Sequence, residues 1–419
     1  MQLWHSLWNG ALIRWGGLAA IAVINLVAPR LLGAEEYGLA LSLLALPYFF
    51  QALAEPIIHT LSIKWFLGEV PAAAGRFVTL GRDMFLCAVI AIMACAAQAL
   101  HVAHGSSVGQ QIVFALSVCG YFGLMLFTTH LLGLAYATRA HRTIAIAYFV
   151  PAVTVPLFLL FSATALGMVV ALCLTQLCVQ GVLWSARSVR ILARHVLHAS
   201  AHASAGRSRE YVVALLPRLA LILLTTATVL IGSFMLFPRD LASFKLMMSL
   251  VAIGGAILPV SPELVQTAFS TNGRHSPTGS WQPRSLLLAM LVAGCAFAAV
   301  LFAASGWVHQ TILGSAFIPP QFQVVFLGAP FFFLISSLSA YAFGIGKERL
   351  LVWALLSTVA GMGLGLIGLG LGAAFAFGSV AFAGTAIAGL RTRSVKQSPG
   401  QKPATVAVTK EVDADLQPW

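Results

Sequence analysis

The sequence predicts an all-α membrane fold of about twelve transmembrane helices, arranged as two six-helix bundles. Three observations carry that reading. Hydrophobic residues make up 59% of the 419 and charged residues 9%, whereas soluble domains hold roughly 25% charged residues to keep their surface wet. The apolar runs are about 20 residues long and lack the alternation of barrel strands, so they match helices that cross a bilayer. Basic residues fall between the runs in an alternating pattern, as they do when charge sets membrane orientation.

Taken in order, the spans lie near 11–32, 38–63, 84–103, 111–136, 143–163 and 166–185 in the first half. The second half offers 212–237, 242–270, 286–309, 321–343, 350–369 and 371–390. Two boundaries need turns, one near Ser162 to Gly167 and one near Gly370. The first apolar run is too long for a signal-peptide core and leads straight into further spans, so no cleavable leader is expected. Of the 24 Lys and Arg, all but Arg14, Arg30, Arg218, Arg239 and Lys245 fall in 64–83, 137–142, 186–211, 271–285, 344–349 and the tail beyond 390. Those are the segments that a cytoplasmic N-terminus places inside, which predicts twelve spans with both termini cytoplasmic. The net charge of +12 is therefore spread along the inner loops, and nucleic acid is not expected as a partner.

The domain organisation follows. Residues 1–185 form the first bundle, 186–211 a basic cytoplasmic linker, 212–390 the second bundle and 391–419 a disordered polar tail with Pro399 and Pro403. The linker holds Arg187, Arg190, Arg194, Arg207 and Arg209 and can grip anionic membrane lipids. The halves repeat each other weakly. Arg14 opens the first and Pro217-Arg218 the second, Arg30 and Arg239 end their first helices, and Ser42-Leu43 matches Ser249-Leu250. Glu55-Pro56 and Pro262-Glu263 recur at equivalent depth. Repeats of this kind place a transporter's site at their interface.

A charge within the bilayer is costly, so it faces a cavity or a partner. Arg14 and Arg218 are the candidates for a cationic cavity that binds a diphosphate, because the guanidinium fork suits paired oxygens. Lys245 reads as interfacial or as an outward extension of that basic path. Glu55 and Glu263, each beside a helix-bending proline, are candidates for a proton- or sodium-coupling carboxylate, or for structural ion pairs. His59 and His130 read as packed rather than ligating. The six cysteines, Cys87, Cys95, Cys119, Cys173, Cys178 and Cys295, read as apolar packing residues. Gly363, Gly365 and Gly368 spell a dinucleotide fingerprint without the strand it requires. With Gly361 and Gly372, Gly365 and Gly368 instead make a small-residue face for close helix packing. No zinc spacing, nucleophile elbow or phosphate loop occurs, so neither catalytic residues nor a metal or cofactor are expected.

Leu32-Gly33-Ala34-Glu35-Glu36-Tyr37-Gly38, between the first two spans, resembles the LG-x-EEYG stretch of polysaccharide flippases in the MOP (multidrug/oligosaccharidyl-lipid/polysaccharide) exporter superfamily. Gly344-Ile345-Gly346-Lys347-Glu348-Arg349-Leu350 resembles that family's turn before helix 11, and Leu313-Gly314-Ser315-Ala316-Phe317 its outer loop. Glycines from Gly361 to Gly372 replace the family's Asn-rich and Pro-Tyr-Gly features, as in a divergent member. The resemblance implies a MOP/MATE-like fold that exports a polyprenyl-diphosphate-linked oligosaccharide by alternating access. It also implies a bacterial inner membrane and a setting among other polysaccharide-assembly proteins, for O-antigen, capsule or exopolysaccharide. Within the same fold the alternative is a multidrug-type cation antiporter. The alternative of another class is a membrane polysaccharide polymerase or ligase, against which the short, nearly uncharged outer loops argue.

Overall fold

A computed structural model describes residues 12–13, 15–66, 70–104, 107–199, 207–257, 283–314, 318–344 and 347–391. Arg14, Glu263 and the tail from 392 onward, all named above, lie outside the described residues. The described chain is helical throughout, without a strand. Eleven of its helices are long and apolar enough to cross a membrane.

In the first half these are α1 (Trp15–Leu32), α2 (Ala34–Phe66), α3 (Val70–Val102), α4 (Val108–Ala137), α5 (His141–Leu159) and α6 (Ala165–Ser185). A short helix, α7 (Arg187–His198), follows. The next, α8, runs through Arg207–Ile222, a π-helical segment Leu223–Ala227 and Thr228–Met235. Then come α9 (Pro238–Ile257), α10 (Pro283–Leu313), α11 (Val325–Gly344, led in by the turn Pro320–Gln323), α12 (Glu348–Leu369) and α13 (Leu371–Arg391). The eighth expected span, 242–270, falls on α9, which is not among the eleven; its part beyond Ile257 is outside the described residues.

The turns lie where local chemistry requires them. Gly33 (φ 81°) ends α1 and Gly370 (φ 89°) separates α12 from α13, since positive φ costs glycine nothing. Ser107 starts α4 with a capping box to Gln110, and the Thr164 hydroxyl accepts from Gly167 N at 3.1 Å to start α6. Both open turns of the sequence reading, near 162–167 and at 370, are therefore real breaks.

Packing follows the rules of a lipid solvent. Ile367 is 89% exposed and Phe161 83%, positions that water would penalise and lipid does not. Inside, small residues let backbones approach and polar side chains join helices. The main pairings are α2 with α4, α9 and α3, α4 with α6, α5 with α6, α10 with α11, and α13 with both α11 and α12. Gln180 Nε2 donates to Leu124 O (2.9 Å) between α6 and α4, and Thr385 Oγ1 to Ser357 Oγ (2.8 Å) between α13 and α12. A Cβ on Gly361, Gly365 or Gly372 would meet backbone at 2.7, 2.5 or 2.0 Å, whereas Gly368 faces open space. The small-residue face is real, with Gly368 outside it. Cys95 is buried while Cys87, Cys178 and Cys295 are exposed, so the packing role expected of all six fails at those three positions.

The segment 186–211, read as a plain linker, contains α7. Its Val189, Leu192 and Ala193 are buried in contact with α3, α4 and α6, and its arginines point away. An apolar stripe at helical spacing between charges forms an amphipathic helix rather than a loop.

Candidate functional site

Glu55 and Arg218 each sit beside a proline inside a long helix, Pro56 in α2 and Pro217 in α8. A proline in a helix leaves the carbonyl four residues earlier without its donor and bends the axis. The two helices pack against each other, so both charges reach one region. There Glu55 and His59, four residues apart on one face of α2, bring Oε1 and Nδ1 to 3.8 Å. Glu55 is 40% exposed at its side chain and His59 15%.

The region is walled by α4 and α5. The rings of His59 and Tyr136 lie 5.0 Å apart, and Tyr136 donates its hydroxyl to that of Tyr148 at 3.4 Å. Arg218 acts electrostatically on both His59 and Tyr148, as Glu55 does. It is exposed and makes no ion pair among the described residues. Deeper in, His130 packs its ring edge-on against Phe77 and holds Leu126 O through Nδ1 at 2.9 Å. The Nε2 atoms of His59 and His130 are buried without a partner among the described residues. Each of these side chains lies in the half of its helix nearer the α2–α3 and α4–α5 turns, the end expected to face the cytoplasm.

The site therefore differs in part from the expected one. Glu55 and Arg218 lie on helices that pack against each other, α2 and α8. Arg14 and Glu263 lie outside the described residues. Lys245 is half-buried in α9 between the fully buried Phe244 and Leu246. Nearby, His309 Nε2 and Ser243 Oγ join α10 to α9 at 3.0 Å. His59, Tyr136 and Tyr148 were missed as site residues. The i,i+4 spacing of Glu55 and His59 was the available signal.

No protein-family model and no curated protein sequence matches the chain. Solved structures do. It is similar over 92% of its length to 87% of the lipid II flippase MurJ in an inward closed conformation, with TM-score 0.64 and 10% identity. The eukaryotic MATE transporter AtDTX14 is matched at TM-score 0.59 and 16% identity, covering 91% of this chain and 93% of that one. An inward-facing multidrug resistance MATE family transporter of the MOP superfamily is matched at 0.55 and 12%, covering 90% and 92%. The chain has a MOP-type membrane fold.

In this MOP-type fold the Leu32–Gly38 stretch is a structural joint at the end opposite the charged cluster. Gly33 ends α1, and Glu36 Oε2 accepts from Ala165 N at 2.6 Å, placing its charge at the positive start of α6. Tyr37 is fully buried and donates to Asn25 Oδ1 at 3.2 Å, inside the π-helical segment Val23–Val27 of α1. A Cβ on Gly38 would lie 1.7 Å from Pro238 O, so α2 and α9 touch backbone to backbone there. Close by, Gln98 of α3 donates to Ser42 O (2.8 Å) and accepts from Leu46 N (3.3 Å), taking both groups of one rung of α2 just before Pro47. Its Nε2 also lies 3.3 Å from Ser233 Oγ of α8. The first helix of each half carries one five-residue π-helical segment.

Proposed function

We propose that the protein is a transporter that carries a polyprenyl-diphosphate-linked oligosaccharide from the inner to the outer leaflet by alternating access, for assembly of a surface polysaccharide. The observation that carries this reading is Arg218, an exposed guanidinium with no ion pair among the described residues, close to His59 and Tyr148 on helices of the other half. A cation of that kind, reachable at the junction of α8 with α2, fits a diphosphate through paired hydrogen bonds. The sequence resemblance implies a cavity between two six-helix units, which we take as 1–185 and 212–390. We assign Arg14 and Lys245 to the same basic path, and Glu55 and Glu263 to coupling with a proton or sodium ion. The reading places the protein in a bacterial inner membrane with both termini cytoplasmic, acting without covalent chemistry on its cargo.

The test is translocation of a fluorescent polyprenyl-diphospho-sugar in proteoliposomes. Wild type moves the lipid, and Arg218→Ala, folded by size exclusion and thermal melting, loses about tenfold or more of the rate. Transport undiminished in that variant would remove Arg218 from the site. Glu55 favours a second reading, since its carboxylate is 40% exposed at the same place, as a cation-binding antiporter would need. Efflux of a lipophilic cation that is lost in Glu55→Gln and kept in Arg218→Ala would select that reading.

A further inference from the structure

Among the described residues the chain places glycine at three of its four positive-φ positions, Gly33, Gly314 and Gly370. The fourth is Arg139 (φ 55°), in the turn between α4 and α5. The hydrogen bonds there are those of a helix end that glycine ordinarily closes. Ala140 N donates to Ala135 O at 2.9 Å and Arg139 N to Tyr136 O at 3.1 Å. Glycine is usual at this position because a side chain strains it. An orientation signal would be served by arginine anywhere in the loop, so the strain calls for another reason. Arg142 and Arg187 are also placed at a cost, in the first turns of α5 and α7, where a helix's own dipole disfavours a cation.

α7 is seated against this turn. Its buried Val189, Leu192 and Ala193 share one apolar cluster with Leu134 and Ala135 of α4 and Ile144 of α5. Arg187, Arg190 and Arg194 on its other side are exposed, as are Arg139 and Arg142. None of the five makes an ion pair among the described residues, and neither α7 nor the turn from 138 to 144 contains an acidic residue. Large apolar side chains are bare at the same end: Trp184 near the end of α6, Ile191 on α7, and Leu197, which is 76% exposed. Uncompensated arginines beside bare apolar side chains fit the boundary between headgroups and acyl chains better than bulk water or hydrocarbon. We propose that α7 and the α4–α5 turn form a binding surface for anionic phospholipid. The guanidinium groups take the headgroup phosphates, and Leu197 and Trp184 sit among the upper acyl chains. The surface requires only a chain that crosses a membrane, whichever way it is oriented and whatever it carries.

The test is native mass spectrometry of the full-length protein in neutral detergent, titrated with phosphatidylglycerol or with phosphatidylcholine of the same chain length. Wild type should prefer phosphatidylglycerol, and each arginine removed should weaken that binding about fivefold, equivalent to ~1 kcal/mol per charge near a membrane surface. In Arg139→Gly two readouts should part. Affinity for phosphatidylglycerol falls about fivefold, while the melting temperature in neutral detergent rises by about 2 °C as the strain is relieved. The triple variant Arg187→Gln, Arg190→Gln, Arg194→Gln leaves the turn intact and should lose about a hundredfold. Arg30→Gln, at the opposite end of the first bundle, should keep the wild-type affinity. Equal binding of the two lipids by wild type, or affinity unchanged in both Arg139→Gly and the triple variant, overturns the surface. A lower melting temperature for Arg139→Gly in neutral detergent makes Arg139 a structural residue and overturns its part in the surface. Phosphatidylglycerol that is displaced by an equimolar short-chain prenyl-diphospho-sugar gives the arginines to the cargo and overturns the bilayer lipid as occupant; phosphatidylglycerol that stays bound supports it.

Discussion

Gln98 shows how a single residue can hold a bent helix in lipid. Pro47 already deprives α2 of one donor, and the Gln98 amide occupies the Ser42–Leu46 rung just before it. In a hydrocarbon solvent no water replaces a lost partner. Gln98→Leu is expected to destabilise the protein by about 1 kcal/mol, a typical size for a buried polar contact between membrane helices. Unfolding in mixed detergent micelles would measure it, and an unchanged midpoint would mean that α2 closes the rung by itself. At this scale the sequence was partly legible. Glu55 and Arg218 announce themselves because an intramembrane charge needs a reason. His59 does not, since its meaning depends on which side chains the neighbouring helices bring to it.

Small residues decide how close two elements come. On α12, a Cβ on Gly365 would lie 2.5 Å from the backbone of Ala373, while one on Gly363, two residues away, would meet nothing within 4 Å. Valine at 365 should force α12 from α13 and lower the melting temperature by several degrees, given that ~1 kcal/mol shifts a mid-sized domain by about 2–4 °C. Valine at 363 should leave it within about one degree. Equal effects at both positions would show that helix propensity, not contact, is being measured. Gly38 makes the corresponding joint between α2 and α9 at the opposite end from the charged cluster. Gly38→Val should lengthen the spin-label distance between those helices by roughly the 1–2 Å of a typical helix shift. An unchanged distance would mean that Pro238 yields locally. The glycine spacing on α12 was readable beforehand, but spacing names a face without naming its partner, which is why Gly368 was wrongly included. Likewise α7 was legible as a basic stretch and not as a helix, because the pattern of its buried Val189, Leu192 and Ala193 gains meaning only against α3, α4 and α6.

For the whole molecule, the expected orientation is testable without any substrate. Reporter fusions after Ala199 and after Arg391 should both read cytoplasmic, and fusions after Ser106 and Phe237 should read external. A reversed pair in the second half would break the alternation on which twelve spans rest. What the sequence by itself determined was the solvent, the helical class, the places where the chain turns and the charges that need an explanation. Those are local or compositional properties: 20 apolar residues meet the thickness of a bilayer, and glycine at positive φ stops a helix, whatever surrounds them. Only the tertiary structure decided that Glu55 and His59 of α2 share neighbours with Arg218 of α8. It alone turned Glu36, Tyr37 and Gly38 into a joint with α6, α1 and α9. Lipid exerts no hydrophobic preference between one apolar helix and another, so which helices meet is settled by close packing and a few polar contacts between residues more than a hundred positions apart.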